Sequence, residues 1–340
     1  MKMIRQSIAA LLRHPEMITL LLLAGAFVAG AILSPYFLDA HYLLNSTSLY
    51  MEIGIAALAM TLVIISGNID LSVASNLALT AVATAWLYAH AHVPMAIAII
   101  LALILGTLLG LFNGLLVTKL RLPSLTVTLG TLALYRGLAQ VLAGDHSIGN
   151  YPDWFVGIDA RLIGGWVPLP LVIFLTLAVA TGVVLQRTIF GRCVYALGTN
   201  EAATRFSGIR VDRIKLAVFG LSGLYAGIGA VMMLSRLSVA RYDLAAGDEL
   251  AVITAVVLGG TDIFGGRGKI LGTVAALFLL QIIRNGMGLA DIRAEDQMAV
   301  TGSLLVASVL LARVSQRLRQ LKLSRFSNFS LSLYAGRGQG

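Results

Sequence analysis

Asp70 stands in the segment Ser66-Gly67-Asn68-Ile69-Asp70-Leu71-Ser72-Val73, between two long apolar runs and with no basic residue near it. A carboxylate inside a bilayer costs about 2.5–3.5 kcal/mol on insertion scales, so it needs a polar setting. Ser66, Asn68, Ser72, Ser75 and Asn76 supply one. Two chemistries fit. A broken or re-entrant helix can line a polar path for a solute, with Asn68, Asp70, Ser72 and Asn76 on its wall. Alternatively, Asp70 caps the helix that follows a cytoplasmic turn. The two are compatible. Asp262, in Gly259-Gly260-Thr261-Asp262-Ile263-Phe264-Gly265-Gly266-Arg267-Gly268-Lys269, holds a parallel place at the end of a later run. Glu249 precedes that run, within a group formed by Arg236, Arg241, Asp243 and Asp248. That group either meets a periplasmic partner or pairs with itself. Glu249 and Asp262 complete the pathway candidates.

Other chemistries are excluded. The glycines from 259 to 268 look like a phosphate loop, but the pattern requires G-x-x-x-x-G-K-S/T. Ile263 stands where the first glycine should be and Ile270 follows Lys269, so the chain cannot bind ATP by the Walker mechanism. One cysteine, Cys193, rules out an intrachain disulfide. The five histidines show no metal-ligand spacing with Cys, Asp or Glu, so no metal is expected. No nucleophile stands beside a base, and enzymatic chemistry is not expected either.

The elements that must position these residues are membrane helices. Of 340 residues 58% are hydrophobic and only 12% are charged. A soluble domain carries about 25% charged residues, so this chain cannot cover a water-facing surface of its size. A crossing needs roughly 20 mostly apolar residues. Runs that meet or approach that length cover 17–38, 53–69, 71–118 divided at His90-Ala91-His92-Val93-Pro94, 122–143, 169–186, 216–235, 250–263, 270–283 and 297–312. The fold class is therefore all-α: a polytopic membrane helix bundle of about ten transmembrane helices. Residues 145–170 read as an extramembrane loop. The first run follows Lys2, Arg5 and Arg13 as a signal peptide would, but no clear cleavage site follows it, and it reads as a retained span. Gly106, Gly110 and Gly114, and likewise Gly223 and Gly227, recur every four residues, a spacing that lets helix backbones approach closely.

Charge orients the bundle. With the N-terminus inside and alternating sides, 19 of the 25 Lys and Arg residues fall on the cytoplasmic side. This bias predicts an even number of spans and both termini cytoplasmic. It also explains the net charge of +9 without nucleic acid, which is not an expected partner. The chain divides into a cytoplasmic N-terminus (1–16), a transmembrane domain (17–312) and a basic cytoplasmic tail (313–340). The tail has six basic residues and no acid, and is suited to anionic headgroups.

The longest charged connection is 187–215. Thr199 or Asn200 can cap a short helix from Glu201 to Phe206, with Glu201 favourable in its first turn. Gly208 can end it. With small Ala202 and Ala203, this helix on the cytoplasmic face is a surface against which another protein can pack.

These motifs together resemble the ribose/xylose/rhamnose/autoinducer-2 permease family. Gly67-Asn68-Ile69-Asp70-Leu71-Ser72-Val73-Ala74 is similar to its Gly-Gly-Ile-Asp-Leu-Ser-Val-Gly signature, with Asn68 and Ala74 in place of glycines. Phe190-Gly191-Arg192 through Gly198-Thr199-Asn200-Glu201-Ala202-Ala203 and Ser207-Gly208-Ile209 resembles its coupling loop. Glu249-Leu250, Ala255 to Thr261 and Ile263 to Gly266 resemble a third signature, where Asp248 replaces an aromatic, and Arg284-Asn285-Gly286-Met287 a fourth. The resemblance spans about 35–312. It implies the permease subunit of an ABC importer in the bacterial inner membrane, carrying a monosaccharide or similar solute inward. It implies a second permease subunit, a periplasmic sugar-binding protein and a cytoplasmic ATPase that holds the ATP, so that this chain needs no cofactor. Asn200, Glu201, Ala202, Ala203 and Gly208 would dock to that ATPase. An ion- or proton-coupled secondary transporter is the competing reading, with Asp70 or Asp262 as the ion site.

Overall fold

The computed structural model describes residues 15–310, apart from 34, 145, 294, 295, 298, 305, 308 and 309. The expectations for residues 1–14, for the tail and for part of the run 297–312 lie outside the described residues.

Thirteen helices are named here. They are α1 (Pro15–Leu33), α2 (Ala40–Thr47), α3 (Met51–Ile65), α4 (Val73–Ala89), α5 (Met95–Lys119), α6 (Ser124–Ala143) and α7 (Asp153–Ala160). After a hairpin of β1 (Leu162–Ile163) and β2 (Val167–Pro168) come α8 (Leu169–Arg187), α9 (Ile189–Thr199), α10 (Glu201–Phe206), α11 (Val211–Leu237), α12 (Asp248–Leu258) and α13 (Ile270–Leu289). Helical residues recur between 296 and 310.

Among the described residues six stretches are long and apolar enough to cross a membrane: Ala40–Ile65, α5, α6, α8, α11 and α13. The apolar parts of α1 and α4 are shorter. Proline sets three starts, since Pro94, Pro123 and Pro168 immediately precede α5, α6 and α8. Proline disfavours helix in the residue before it and lacks the N–H that a helix start leaves unpaired.

Sequence and structure differ in two places. The run beginning at 53 is entered earlier, through α2 and a 3-10 turn at Ser48–Tyr50. His41 and Asn45 hide that lead-in from a hydropathy reading. Asp39 starts it by accepting hydrogen bonds from the N–H groups of His41 and Tyr42. The run 250–263 leaves the helix at Leu258. Eleven residues rise about 16 Å, half of the ~30 Å hydrocarbon core. Gly260 takes a left-handed φ of 87°, and the N–H groups of Gly260 and Thr261 turn back to Val257 and Val256, closing the helix.

The core is α3, all 15 of whose residues are buried, packed against α8, α11, α12 and α13. α5 is outermost. Its Ile100, Ile104, Leu108 and Leu115 form an exposed apolar stripe with nothing charged in it, as a lipid-facing helix requires. The opposite face of α5 meets α11 through glycines. A Cβ on Gly110 would overlap the carbonyl oxygen of Phe219, and one on Gly223 that of Gly106. The four-residue glycine rows are thus a packing seam.

Candidate functional site

The break between α3 and α4 is built by Gly67, at φ 79°. Its N–H bonds to Ile64 O (2.9 Å) and that of Asn68 to Val63 O (3.1 Å), ending α3 as α12 ends. The Asn68 side chain donates to the hydroxyl and carbonyl of Ser66. The chain then turns through Asp70, whose Oδ1 accepts from the N–H (3.0 Å) and hydroxyl (2.6 Å) of Ser72. The N-cap position of α4 is Ser72 itself. Asp70 therefore shapes the turn ahead of the helix and does not occupy the cap.

The other oxygen of Asp70 reaches across the bundle to the hydroxyl of Ser222 on α11, at 2.8 Å. Asn113 of α5 donates to the Ser72 hydroxyl (2.7 Å), and Tyr135 of α6 reaches Asn113 Oδ1 (3.2 Å) and Leu109 O (2.8 Å). Asn76 bonds Gly106 O at 3.1 Å, beside the glycine seam. Asn68, Asp70, Ser72 and Asn76 are all buried. Asp70 and Ser72 share one network with Ser222, Asn113 and Tyr135, whereas Asn68 bonds Ser66 and Asn76 bonds Gly106 O beside it. Three donors satisfy the carboxylate, and neither Lys nor Arg is among its hydrogen-bond partners.

This geometry separates two roles for Asp70. Asp70→Ala leaves Ser72 and Ser222 facing a void and is expected to cost about 1–3 kcal/mol of stability, the range for unsatisfied buried groups. Asp70→Asn keeps the shape, and the Ser222 hydroxyl can rotate to accept from the new amide. It should melt close to the parent in detergent. If Asp70→Asn is stable but transport-dead, the charge itself serves the pathway; if it transports, the residue holds the wall.

Glu249 and Asp262 stand apart from this network. Glu249 is in the first turn of α12. Asp262 is in the loop between α12 and α13, where its Oδ1 accepts from Phe264 N–H (3.1 Å). That loop serves close approach. Gly266 donates to Ile65 O at 2.8 Å, and the Tyr195 hydroxyl to Gly268 O at 2.7 Å. A Cβ on Gly198 would overlap Ile65 O and lie 2.5 Å from Gly266 N. The glycines that resemble a phosphate loop are needed where the end of α3, α9 and this loop touch backbone to backbone.

On the same side of the bundle lies α10, formed over the residues that its capping signals predict. Asn200 caps it by accepting from Ala203 N–H at 2.9 Å. Gly208 leaves it at φ 81°. Glu201 is latched to Lys215 (2.7 Å) and Arg205 (3.3 Å), and Arg205 to Asp212 (2.9 Å). Partial burial raises the Glu201 carboxyl, but the Lys215 hydrogen bond and charge, with Arg205 behind them, outweigh it and hold the carboxyl below its usual value. The latch is therefore complete above the ordinary carboxylate range and is lost as pH falls through the depressed value. Ala202 and Ala203 are exposed, and Phe206 is 91% exposed. A groove of about 420 Å³ separates α10 from the 117–123 turn.

Sequence reasoning missed one buried ion pair. Glu52 is 1% exposed, and its Oε1 accepts from Arg236 Nε at 2.7 Å, joining α3 to the far end of α11. Its Oε2 has no hydrogen-bond partner among the described residues. Glu52 and Asp248 line a cavity of about 10 Å³, room for one water. The signal was there: Glu52 sits one residue before an apolar run, where hydropathy alone sets it outside the span. Nearby, Arg136 of α6 donates to Tyr242 O and Leu244 O, both at 2.6 Å, so this cation holds the loop between α11 and α12. Among the described residues no cluster of three or more His, Cys, Asp or Glu is placed to hold a metal.

Residues 42–309 match the family model described as branched-chain amino acid transport system / permease component. The chain is 38% identical over 307 residues to the autoinducer 2 import system permease protein LsrD of Escherichia coli, covering 88% of this chain and 92% of that one. The LsrD protein of Shigella flexneri matches equally. That of Klebsiella pneumoniae subsp. pneumoniae is 39% identical over 296 residues, 85% of this chain and 88% of that one. No solved structure matches.

Proposed function

Because the chain belongs to the branched-chain amino acid transport system / permease component family, and so is a multi-pass inner-membrane permease, we propose that it is the translocating subunit of an ABC importer for autoinducer 2 or a similar small sugar-like solute. The solute class rests on the LsrD relatives, whose identity extends over most of both chains. In this reading the chain makes about ten crossings, with the half-length α12 in one of them, and both termini are cytoplasmic. It pairs with a second permease subunit, takes solute from a periplasmic binding protein, and leaves ATP hydrolysis to a separate ATPase. Asn68, Asp70, Ser72 and Asn76 fix the wall of the pathway, while Glu249 and Asp262 stand at the two ends of its short helix.

The observation that supports the ATPase partner best is the latched α10. Two ion pairs tie this six-residue helix to α11, a third lies within it, and it presents Ala202, Ala203 and Phe206 outward. A helix so held is prepared to transmit a push, and α9 and α11 connect it to the spans. ATP-driven closure of the motor would then shift the bundle between two states.

The double variant Glu201→Ala with Gly208→Pro tests this. Alanine removes the carboxylate that Lys215 and Arg205 share, leaving only the Arg205–Asp212 pair, and proline cannot adopt the left-handed φ at 208. Membrane insertion should be unchanged. ATPase activity in the assembled complex should persist while uptake falls by about tenfold or more, the equivalent of ~1.4 kcal/mol in coupling. Normal uptake would remove the docking role. The uncharged surroundings of Asp70 favour the secondary-transporter reading instead. Uptake that needs ATP and survives collapse of the proton gradient decides against it.

A further inference from the structure

The chain has three tryptophans, and all lie toward the end of the bundle away from α10. Trp86 is near the far end of α4. Trp154 is in α7, which is fastened by Ser235, near the far end of α11, to Phe155 O. Trp166 is in the β1–β2 hairpin. The hairpin tip is Gly164-Gly165, both left-handed at φ 63° and 76°. This tight turn leaves Ile163 46% and Trp166 59% exposed. Leu38 is exposed too, and the Trp166 ring stands edge-on to His41 at 6.1 Å, which ties the hairpin to α2.

β2 runs directly into α8. On that helix Leu175, Val179 and Val183 are exposed at four-residue spacing, while Leu171, Phe174, Ala178 and Leu185 are buried. The exposed stripe is the lipid face. Nineteen residues rise about 28 Å, close to the ~30 Å hydrocarbon thickness. Trp166, three residues ahead of α8, and Arg187, its last residue, therefore fall at opposite membrane boundaries. Tryptophan favours the headgroup level, where its ring is half in hydrocarbon and its N–H is wet. Arg161, exposed beside the hairpin, supplies a cation for a lipid phosphate.

We propose that the 162–168 hairpin is a membrane-interface anchor: Ile163 and Trp166, with Leu38, insert into the headgroup region of the outer leaflet, and phospholipid is their partner. Continuity with the lipid-facing stripe of α8 favours lipid over a protein partner. The anchor fixes the outer end of the helix whose inner end leads into α9 and α10, so a push on α10 is resisted by the membrane surface. The proposal depends on membrane residence and not on importer function.

Three tryptophans make the test direct. The full-length chain carrying Trp86→Phe and Trp154→Phe retains Trp166 alone. It is reconstituted into phosphatidylcholine/phosphatidylglycerol vesicles, with and without bromine near the headgroup end of the acyl chains. Trp166 emission should fall by about half in brominated vesicles, as expected of a ring at headgroup level. Acrylamide in the water should quench it much less than it quenches the unfolded chain. Should the double variant fold poorly, the native chain compared with Trp166→Phe alone gives the same quantity as the brominated-lipid-sensitive emission lost. Emission untouched by brominated lipid overturns the anchor in either case. With full acrylamide quenching the hairpin stands in water; with none, protein covers it, whether a second copy or a soluble partner.

Discussion

Replacing Arg236 by alanine is expected to deplete folded protein from the membrane. Glu52 would then sit 1% exposed with both oxygens lacking their cation. Breaking one side of a buried ion pair costs about 3–5 kcal/mol, a large share of the 5–15 kcal/mol that an ordinary domain has. The double variant Glu52→Met with Arg236→Met should recover most of the loss, because a buried pair replaced on both sides by apolar side chains of similar volume is often near neutral. Fluorescence-detected size exclusion after graded heating in detergent reads both. A single Arg236→Ala variant melting within a degree or two of the parent would show that this pair does not fasten α3 to α11.

Gly198→Ala should have the second largest effect. The new methyl would overlap Ile65 O and press on Gly266 N, backbone atoms on both sides that cannot rotate away. Overpacking costs typically 1–3 kcal/mol, and here it also strains the Gly266-to-Ile65 hydrogen bond. Gly198 lies two residues before the cap of α10, so the displacement enters the coupling helix. Uptake should fall more steeply than the melting temperature. Gly137→Ala is the control: a Cβ there meets nothing within 4 Å, and alanine is the better helix former by about 1 kcal/mol. Equal behaviour of the two variants in uptake and melting would mean that the backbone junction at Ile65, Gly198 and Gly266 is not a working contact.

The features legible in the sequence are those that neighbours along the chain decide. Apolar runs show which stretches need lipid, because a crossing takes roughly 20 mostly apolar residues in sequence. Asn200, Glu201 and Gly208 bound a short helix, because caps act over three or four residues. The run of basic residues between spans sorts the connections to one side, and the structure brings 117–123, α10 and the 259–269 loop together there. The glycine rows announce close packing without saying against what.

Tertiary structure decided the rest, for one physical reason: inside a bilayer the worth of a polar group depends on what faces it across the bundle. Asp70 finds Ser222, 152 residues away, and Glu52 finds Arg236, 184 residues away. Nothing local marks those partners, since serine and arginine at those positions fit many helices. Residues that look like a phosphate cradle become a backbone junction only when Ile65 and Gly198 arrive beside them. Composition alone established that this chain must live in lipid; which helices adjoin determined how its buried charges are held there.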